Sequence, residues 1–285
     1  ALGSHVIVVE ALSRLLPLPS VDENCSKVLQ REMKKRKIKF IVNQTVERVE
    51  DKEGKCHVTL GPSPFDTIQK EQGLNQQQVE AEKVLVCIGR KPNTANFGLE
   101  KLGVKTDEKG WIIADERMET NIPGIYAIGD VLGPAKIMLA HVASKEGSLA
   151  AENAMGRNRT MDYNIVPGAI FTMPEVANVG LTEAQAKKQG HNVRADTVLF
   201  RNVAKAQVIG EIAGEVKIVS DTETGRILGV HMIGPHATDL IGEGTLAIQM
   251  ECTVKELAET IHAHPTLAEI MLETSYKALG KALHG

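Results

Sequence analysis

A histidine, a proline and a glutamate fall within six residues near the end of the chain, in His262-Ala263-His264-Pro265-Thr266-Leu267-Ala268-Glu269. Proline disfavours helical angles at the residue before it and suits a first helical position, so His264 is expected in extended chain at the mouth of a helix. Glu269 then lies about one turn inside that helix. Helical side chains lean back toward the N-terminus, which brings the Glu269 carboxylate within reach of an imidazole nitrogen of His264. There it would fix the tautomer and stabilise the protonated ring, the wiring of a general base. The same residues also read as an ordinary helix start whose first-turn glutamate is favoured by the helix dipole. The rest of the chain has to decide between the two.

Two further acids stand where ligands are held. Glu10 follows the apolar run Val6 to Val9, and in a dinucleotide-binding βαβ unit an acid at that strand end holds the ribose hydroxyls. Asp130 follows Gly129 after Ile125 to Ile128, a place from which a carboxylate can accept hydrogen bonds from a sugar or ribityl chain; a plain turn aspartate fits it equally. Gly89-Arg90 closes another apolar run, with a strand-ending glycine of positive φ as the simple reading. Gly242-Glu243-Gly244-Thr245-Leu246-Ala247 matches GxGxxA but lies within a predicted helix rather than between a strand and a helix start, so it is rejected as a nucleotide site. Cys25, Cys56, Cys87 and Cys252 form no CxxC or Cys/His metal spacing, and no metal site is expected.

The elements that position these residues follow from the pattern. The chain opens on Ala1 to His5, which reads as the end of a helix closed by Gly3, and then a strand at Val6 to Val9. With no initiator methionine before it, it is taken as a fragment of something longer. A helix from about Val21 to Lys35 leads to the strand Ile38 to Val42. Alternation in Thr45 to Glu50 and Lys55 to Leu60, split by Glu53-Gly54, predicts a hairpin, and Gln69 to Gln78 a loop. Lys83 to Arg90 and Gly124 to Asp130 read as buried strands, and a helix rich in small residues runs from Met138 to about Asn153. From Val166 the texture changes to strands at 169–172, 196–200, 214–220 and 226–233, with helices at 182–189, 239–249 and 254–259. That pattern predicts an α+β domain on an antiparallel sheet. The main boundary is placed near Asp162 to Val166.

Composition excludes several functions. The chain has 285 residues, 42% hydrophobic, enough for roughly two domains, and a mean hydropathy of −0.12. Formal net charge is −3, so the basic run Arg31 to Lys37 is read as a solvated helix end and no nucleic-acid partner is expected. No run approaches the ~20 apolar residues of a membrane span, and no signal peptide is visible. Scattered cysteines fit a reducing compartment, cytosolic or organellar.

Together, Val84 to Arg90 with Pro92-Asn93, Ile125 to Asp130, Met138-Leu139-Ala140-His141, Phe171 to Gly180 and His262 to Glu269 closely resemble the flavoprotein disulfide reductases, and within them the dihydrolipoamide dehydrogenases. The resemblance covers nearly the whole chain. It implies an α/β and α+β fold: an incomplete Rossmann-like NAD domain (residues 1–85), a central FAD-contacting segment (86–163) and an interface, or dimerisation, domain with an antiparallel sheet (164–285). It implies that Asp130 binds the flavin ribityl chain, that Met138, Leu139, Ala140 and His141 lie along the flavin of FAD, and that Glu10, Val46 and Gly89 contact NAD. It makes His264 the catalytic base, given to the active site of the other subunit of a homodimer, and Glu269 its orienting carboxylate.

The implied reaction oxidises a dihydrolipoyl dithiol carried by a component of a 2-oxo acid dehydrogenase or glycine cleavage complex, in bacterial cytoplasm or the mitochondrial matrix. A base that removes the thiol proton speeds the exchange, because the thiolate attacks. None of the four cysteines matches the family's redox pair, and the glycine loop for the FAD pyrophosphate is not found, so this chain is expected to be inactive alone and to hold neither cofactor stably. Glutathione and mercuric reductases share the architecture. Glu10 argues against an NADP enzyme, since it would repel a 2′-phosphate, and Ala282 to Gly285 lacks the cysteine pair usual in mercuric reductases. A non-enzymatic fragment that dimerises or binds a partner is the reading from a different class.

Overall fold

The computed structural model describes residues 2–65 and 77–284. The chain forms two compact units, Ala1–Val84 with Pro167–Gly285, and Leu85–Val166.

The first unit opens with a βαβ turn of chain. Strands β1 (Ile7–Glu10) and β2 (Lys39–Val42) pair in parallel, with Glu10 opposite Val42, and helix α1 (Glu23–Lys35) connects them. Asp22 caps α1, its carboxylate accepting from the Asn24 amide at 2.9 Å. Cys25, Val28 and Leu29 recur at helical spacing and form the buried stripe of α1. Strands β3 (Gln44–Lys52), β4 (Lys55–Pro62) and β5 (Gln77–Ala81) make an antiparallel sheet. The β3–β4 turn is Glu53-Gly54, with φ of 54° and 79°, the positive pair that a tight two-residue hairpin needs. Gln77 and Gln78, expected in a loop, begin β5; the rest of that expected loop, 69–76, lies outside the described residues. The helix end expected at the start of the chain is absent from Leu2 to Val6.

The same unit holds a five-stranded antiparallel sheet in the order β6-β7-β10-β9-β8, built from β6 (Gly168–Ile170), β7 (Glu175–Gly180), β8 (Val193–Leu199), β9 (Glu215–Asp221) and β10 (Ile227–Gly234). Strand β7 was not expected as a strand; the apolar run at 169–172 instead ends at Ile170 and leaves Phe171 exposed. Central strands are buried on both faces, which is why Val216, Ile218 and Val219 run without alternation. Val28 and Leu29 of α1 pack with Val176 and Ile233 from one side of the sheet.

The second unit carries α2 (Leu99–Leu102), which buries none of its residues, and a core of Met118 and Ala127 with Leu132 of a 3-10 turn at Gly129–Ala135 and Leu149 and Ala150 of α3 (Ala140–Ala154). In the first unit, α4 (Glu183–Lys188), α5 (Ala204–Val208), α6 (Ala237–Gln249), α7 (Val254–Glu259) and α8 (Glu269–Ala278) follow; α6 packs on β7 and β10, and α8 on β8 and β9. Helix α3 carries Ala143 and Gly147 where bulk would collide, since side chains built at Gly129 and Gly147 would meet Ala143 at 3.2 Å and Ile128 at 3.1 Å.

Two strands read from the sequence do not form. Residues Leu85, Val86 and Ile88 are 87%, 70% and 94% exposed, and from Gly124 to Asp130 only Tyr126 makes an isolated bridge, to Glu119. An apolar run becomes a buried strand only when neighbours complete its ladder, and among the described residues none pairs with 85–90.

Gly214 combines a φ of +125° with a backbone in the way: a Cβ there would sit 1.9 Å from the Ile233 carbonyl oxygen. Gly214→Ala is therefore expected to cost about 1–3 kcal/mol, measured as a lowered urea midpoint at unchanged m. An unchanged midpoint would refute that crowding.

Candidate functional site

The segment between α7 and α8 brings the motif together. His264 Nδ1 lies 2.9 Å from Glu269 Oε1. The other carboxylate oxygen accepts from the Thr266 amide at 2.9 Å, and the Thr266 hydroxyl donates to the Ala263 carbonyl at 2.7 Å. One local expectation is corrected: Pro265 does not start the helix, and Glu269 is not a turn inside it. The helix begins at Glu269 itself, with Ala268 as its cap residue, and the Glu269 side chain reaches back to the Thr266 amide, one of the donors that a helix start leaves without an intrahelical partner.

The chemistry of the pair follows from the donor count. A carboxylate only accepts, so Nδ1 carries the proton and Nε2 keeps the lone pair. The His264 side chain is 70% exposed while that of Glu269 is 18% exposed, so a solvent-facing ring stands on a sheltered anion. Burial pushes the Glu269 carboxyl up, but the Thr266 amide and His264 outweigh it and hold the group below the usual carboxylate value. A depressed folded value means that the stabilisation from Glu269 is present above the unfolded carboxylate range and is lost as pH falls through the folded value. Glu269→Gln is accordingly expected to weaken the acid dependence of thermal unfolding below about pH 4. An unaltered acid limb would count against the anchored carboxylate.

His262, part of the motif but given no role by sequence reasoning, is more enclosed than His264. Its Nδ1 lies 2.9 Å from the Thr260 carbonyl and its Nε2 2.7 Å from Glu243 Oε1 of α6.

The other expected ligand residues fall in separate places. In the first unit, Glu10 ends β1 and accepts from the Leu12 amide at 2.8 Å, while Val46 is exposed on β3, which neighbours β1. In the second unit, Gly89 has a φ of 141° and nothing within 4 Å of a built Cβ, so glycine is needed there for backbone angle rather than for close approach. Arg90 pairs with Asp130, whose 3-10 turn leads by way of Met138 and Leu139 into α3 at Ala140 and His141.

That turn has a support the sequence reading missed. Glu146 of α3 is buried and accepts at 2.6 Å from both the Gly129 amide and the Tyr163 hydroxyl. Burial, and then the Glu146 carboxylate, push the Tyr163 hydroxyl well above its ordinary value, so it remains a donor. The available signal was one acid amid small residues on a close-packed helix face. Cys25 is pushed up to about 12 by burial, an inert thiol, and all four cysteines are free. Among the described residues, no cluster of His, Cys, Asp and Glu could hold a metal, and no helix is long and apolar enough to cross a membrane.

Two family models match: pyridine nucleotide-disulphide oxidoreductase over residues 1–147, and the dimerisation domain of the same proteins over residues 166–275. The chain is 41% identical over 283 residues to a dihydrolipoyl dehydrogenase of Thermus scotoductus, covering 99% of this chain and 59% of that one. It is 40% identical over 284 residues to the mitochondrial dihydrolipoyl dehydrogenase 1 of Arabidopsis thaliana, covering 99% and 54%. The crystal structure of LpdA from Mycobacterium tuberculosis superimposes with a TM-score of 0.84 at 28% identity, over 97% of this chain and 57% of that one. The chain thus spans under three fifths of the length of these relatives. With its mixed architecture and an antiparallel sheet in the matched dimerisation region, it belongs to the pyridine nucleotide-disulphide oxidoreductase family.

Proposed function

We propose that this chain is the base-bearing part of an NAD-linked, FAD-containing dihydrolipoyl dehydrogenase that acts as a homodimer on lipoyl groups of a 2-oxo acid dehydrogenase or glycine cleavage complex. The observation that carries the proposal is the 2.9 Å contact from His264 Nδ1 to Glu269, which leaves the lone pair on Nε2 of an exposed ring. On this reading Nε2 takes the proton of a dihydrolipoyl thiol, and the thiolate attacks a disulfide; the dithiol is oxidised and that disulfide reduced. Glu269, already ionised, stabilises the imidazolium that results. Cys25, Cys56, Cys87 and Cys252 are all free, so the attacked disulfide belongs to the longer protein.

The chemistry of the donor sets fits both cofactors. Asp130 is half exposed on a turn braced by Glu146, where a carboxylate can accept from ribityl hydroxyls, and Met138 to His141 continue from that turn. Glu10 spends one oxygen on the Leu12 amide and keeps the other for a ribose diol, beside β3 and Val46, with Gly89 the further expected contact to NAD. When bound, FAD and NAD supply the path that carries two electrons away from the reduced disulfide. The division into an NAD-binding part (1–85), a central part (86–163) and a dimerisation part (164–285), in bacterial cytoplasm or mitochondrial matrix, belongs to the same proposal.

The full-length protein is expected to purify with a flavin absorption band and to reduce NAD with dihydrolipoamide, whereas the 285-residue chain shows neither band nor turnover. A full-length protein that ignores dihydrolipoamide and reduces glutathione disulfide with NADPH would overturn the assignment.

A further inference from the structure

The two histidines of the motif are held by opposite logic. His264 shows one nitrogen to an acceptor and stands in solvent; His262, with a side chain only 5% exposed, shows both nitrogens to acceptors. A neutral imidazole has one N–H and one lone pair. Set between the Thr260 carbonyl at 2.9 Å and the Glu243 carboxylate at 2.7 Å, a neutral ring would keep one bond and turn its lone pair against the other oxygen. With a proton on each nitrogen both contacts become hydrogen bonds, and the one to Glu243 is charge-assisted. Burial of the ring removes the water that could otherwise stand in for either partner.

We propose that His262 is a positioning residue for His264: a doubly protonated imidazolium that ties the segment carrying His264 to α6 through Glu243 and to the end of α7 through Thr260. The inference rests on the reading of His264 as the base. The charged and titratable groups around His262 are Glu243 from α6, Glu269 from α8 and His264 two residues along the chain; α7 contributes the Thr260 carbonyl. The positive charge of His262 also helps hold the Glu269 carboxyl ionised, so the same ring that pins the segment supports the anion beneath His264. Glu243 thereby gains a role: the GxGxxA run that fails as a nucleotide loop supplies the anchor.

A long-range proton–nitrogen correlation spectrum of the [15N]histidine-labelled chain at pH 7.5 tests this. His262 is expected to show both ring nitrogens protonated, and His264 a hydrogen-bonded Nδ1. In Glu243→Gln, whose amide can donate to a ring lone pair, the fold and the His264 signal are expected to persist while His262 drops to one proton. In Glu243→Ala the His264 Nδ1 signature is expected to weaken as well, because the tie from the segment to α6 is then gone. A single-protonated His262 in the unsubstituted chain overturns the proposal, and so does an unmoved His264 signal in Glu243→Ala. If Glu243→Ala does not fold, the proton count in the unsubstituted chain and in Glu243→Gln still decides. Failure of the base reading looks different: full turnover by His264→Gln in the full-length protein would remove His264 as the base and leave the His262 spectrum as described.

Discussion

In the full-length protein, His264→Gln is expected to lower dihydrolipoamide-dependent reduction of NAD by about 10²–10⁴-fold while leaving the flavin content unchanged. Glutamine keeps a polar side chain of similar reach on the segment, so dimer assembly and cofactor binding have no reason to change. What it lacks is a lone pair that accepts and returns a proton near neutral pH. Because the thiolate is the attacking species, the loss should fall on the dithiol-to-disulfide step, and raising the pH should recover part of it as solvent hydroxide ionises the thiol. Electron transfer from NADH to the flavin, measured with an artificial acceptor, bypasses the dithiol and should stay near normal. Glu269→Gln is expected to be less severe, since its amide oxygen can still accept from Nδ1 but no charge backs the imidazolium. Near-normal turnover by His264→Gln would remove the base from the scheme, and an equal loss with the artificial acceptor would point to a damaged flavin site instead.

The parts of this site that could be read from sequence were those set by local chemistry. Pro265 separates His264 from a helix, and a carboxylate five residues on can reach back to the ring; neither depends on the rest of the fold. The hairpin at Glu53-Gly54 and the antiparallel sheet of the last third of the chain, though not its strand β7, follow likewise from turn chemistry and periodicity. Less legible was whatever depends on partners far along the chain. The apolar runs ending at Gly89 and Gly129 have strand composition, yet ladder neighbours decide whether they are strands: among the described residues 85–90 has none, and 124–130 has a single bridge, from Tyr126 to Glu119. Glu146 looked like any helical acid until Gly129 and Tyr163 closed on it. The start of α8 was misplaced because proline statistics favoured Pro265, whereas regular helix begins only at Glu269, whose side chain reaches back to the Thr266 amide.

Long-range pairing also sets a large expected stability effect. Asp22 and Lys217 are both buried, with Nζ 2.8 Å from Oδ1 across 195 positions of sequence, joining the start of α1 to strand β9. Asp22→Ala strands a buried ammonium and removes the helix cap, and is expected to cost about 3–5 kcal/mol in denaturant unfolding. The second change tells charge from packing. Lys217→Met removes the stranded charge, so the pair Asp22→Ala with Lys217→Met should recover much of the loss, a coupling that independent sites would not show. Of the neighbours, burial lowers His231 so that it stays neutral, its Nε2 donating to the Leu181 carbonyl at 2.9 Å, while burial holds Glu215 above the ordinary carboxylate value against the pull of Lys217. Acid reports on the same bond. Burial pushes the Asp22 carboxyl up, but Lys217 and the Asn24 amide outweigh it and leave it below the ordinary value. Its contribution is therefore complete above the unfolded value, about pH 4, and fades as pH falls through the folded one. Asp22→Asn should flatten that part of the acid limb. A single variant within about 1 kcal/mol of the parent chain, or a double variant no better than Asp22→Ala, would mean that apolar packing of α1 on the sheet, and not this ion pair, joins the two elements.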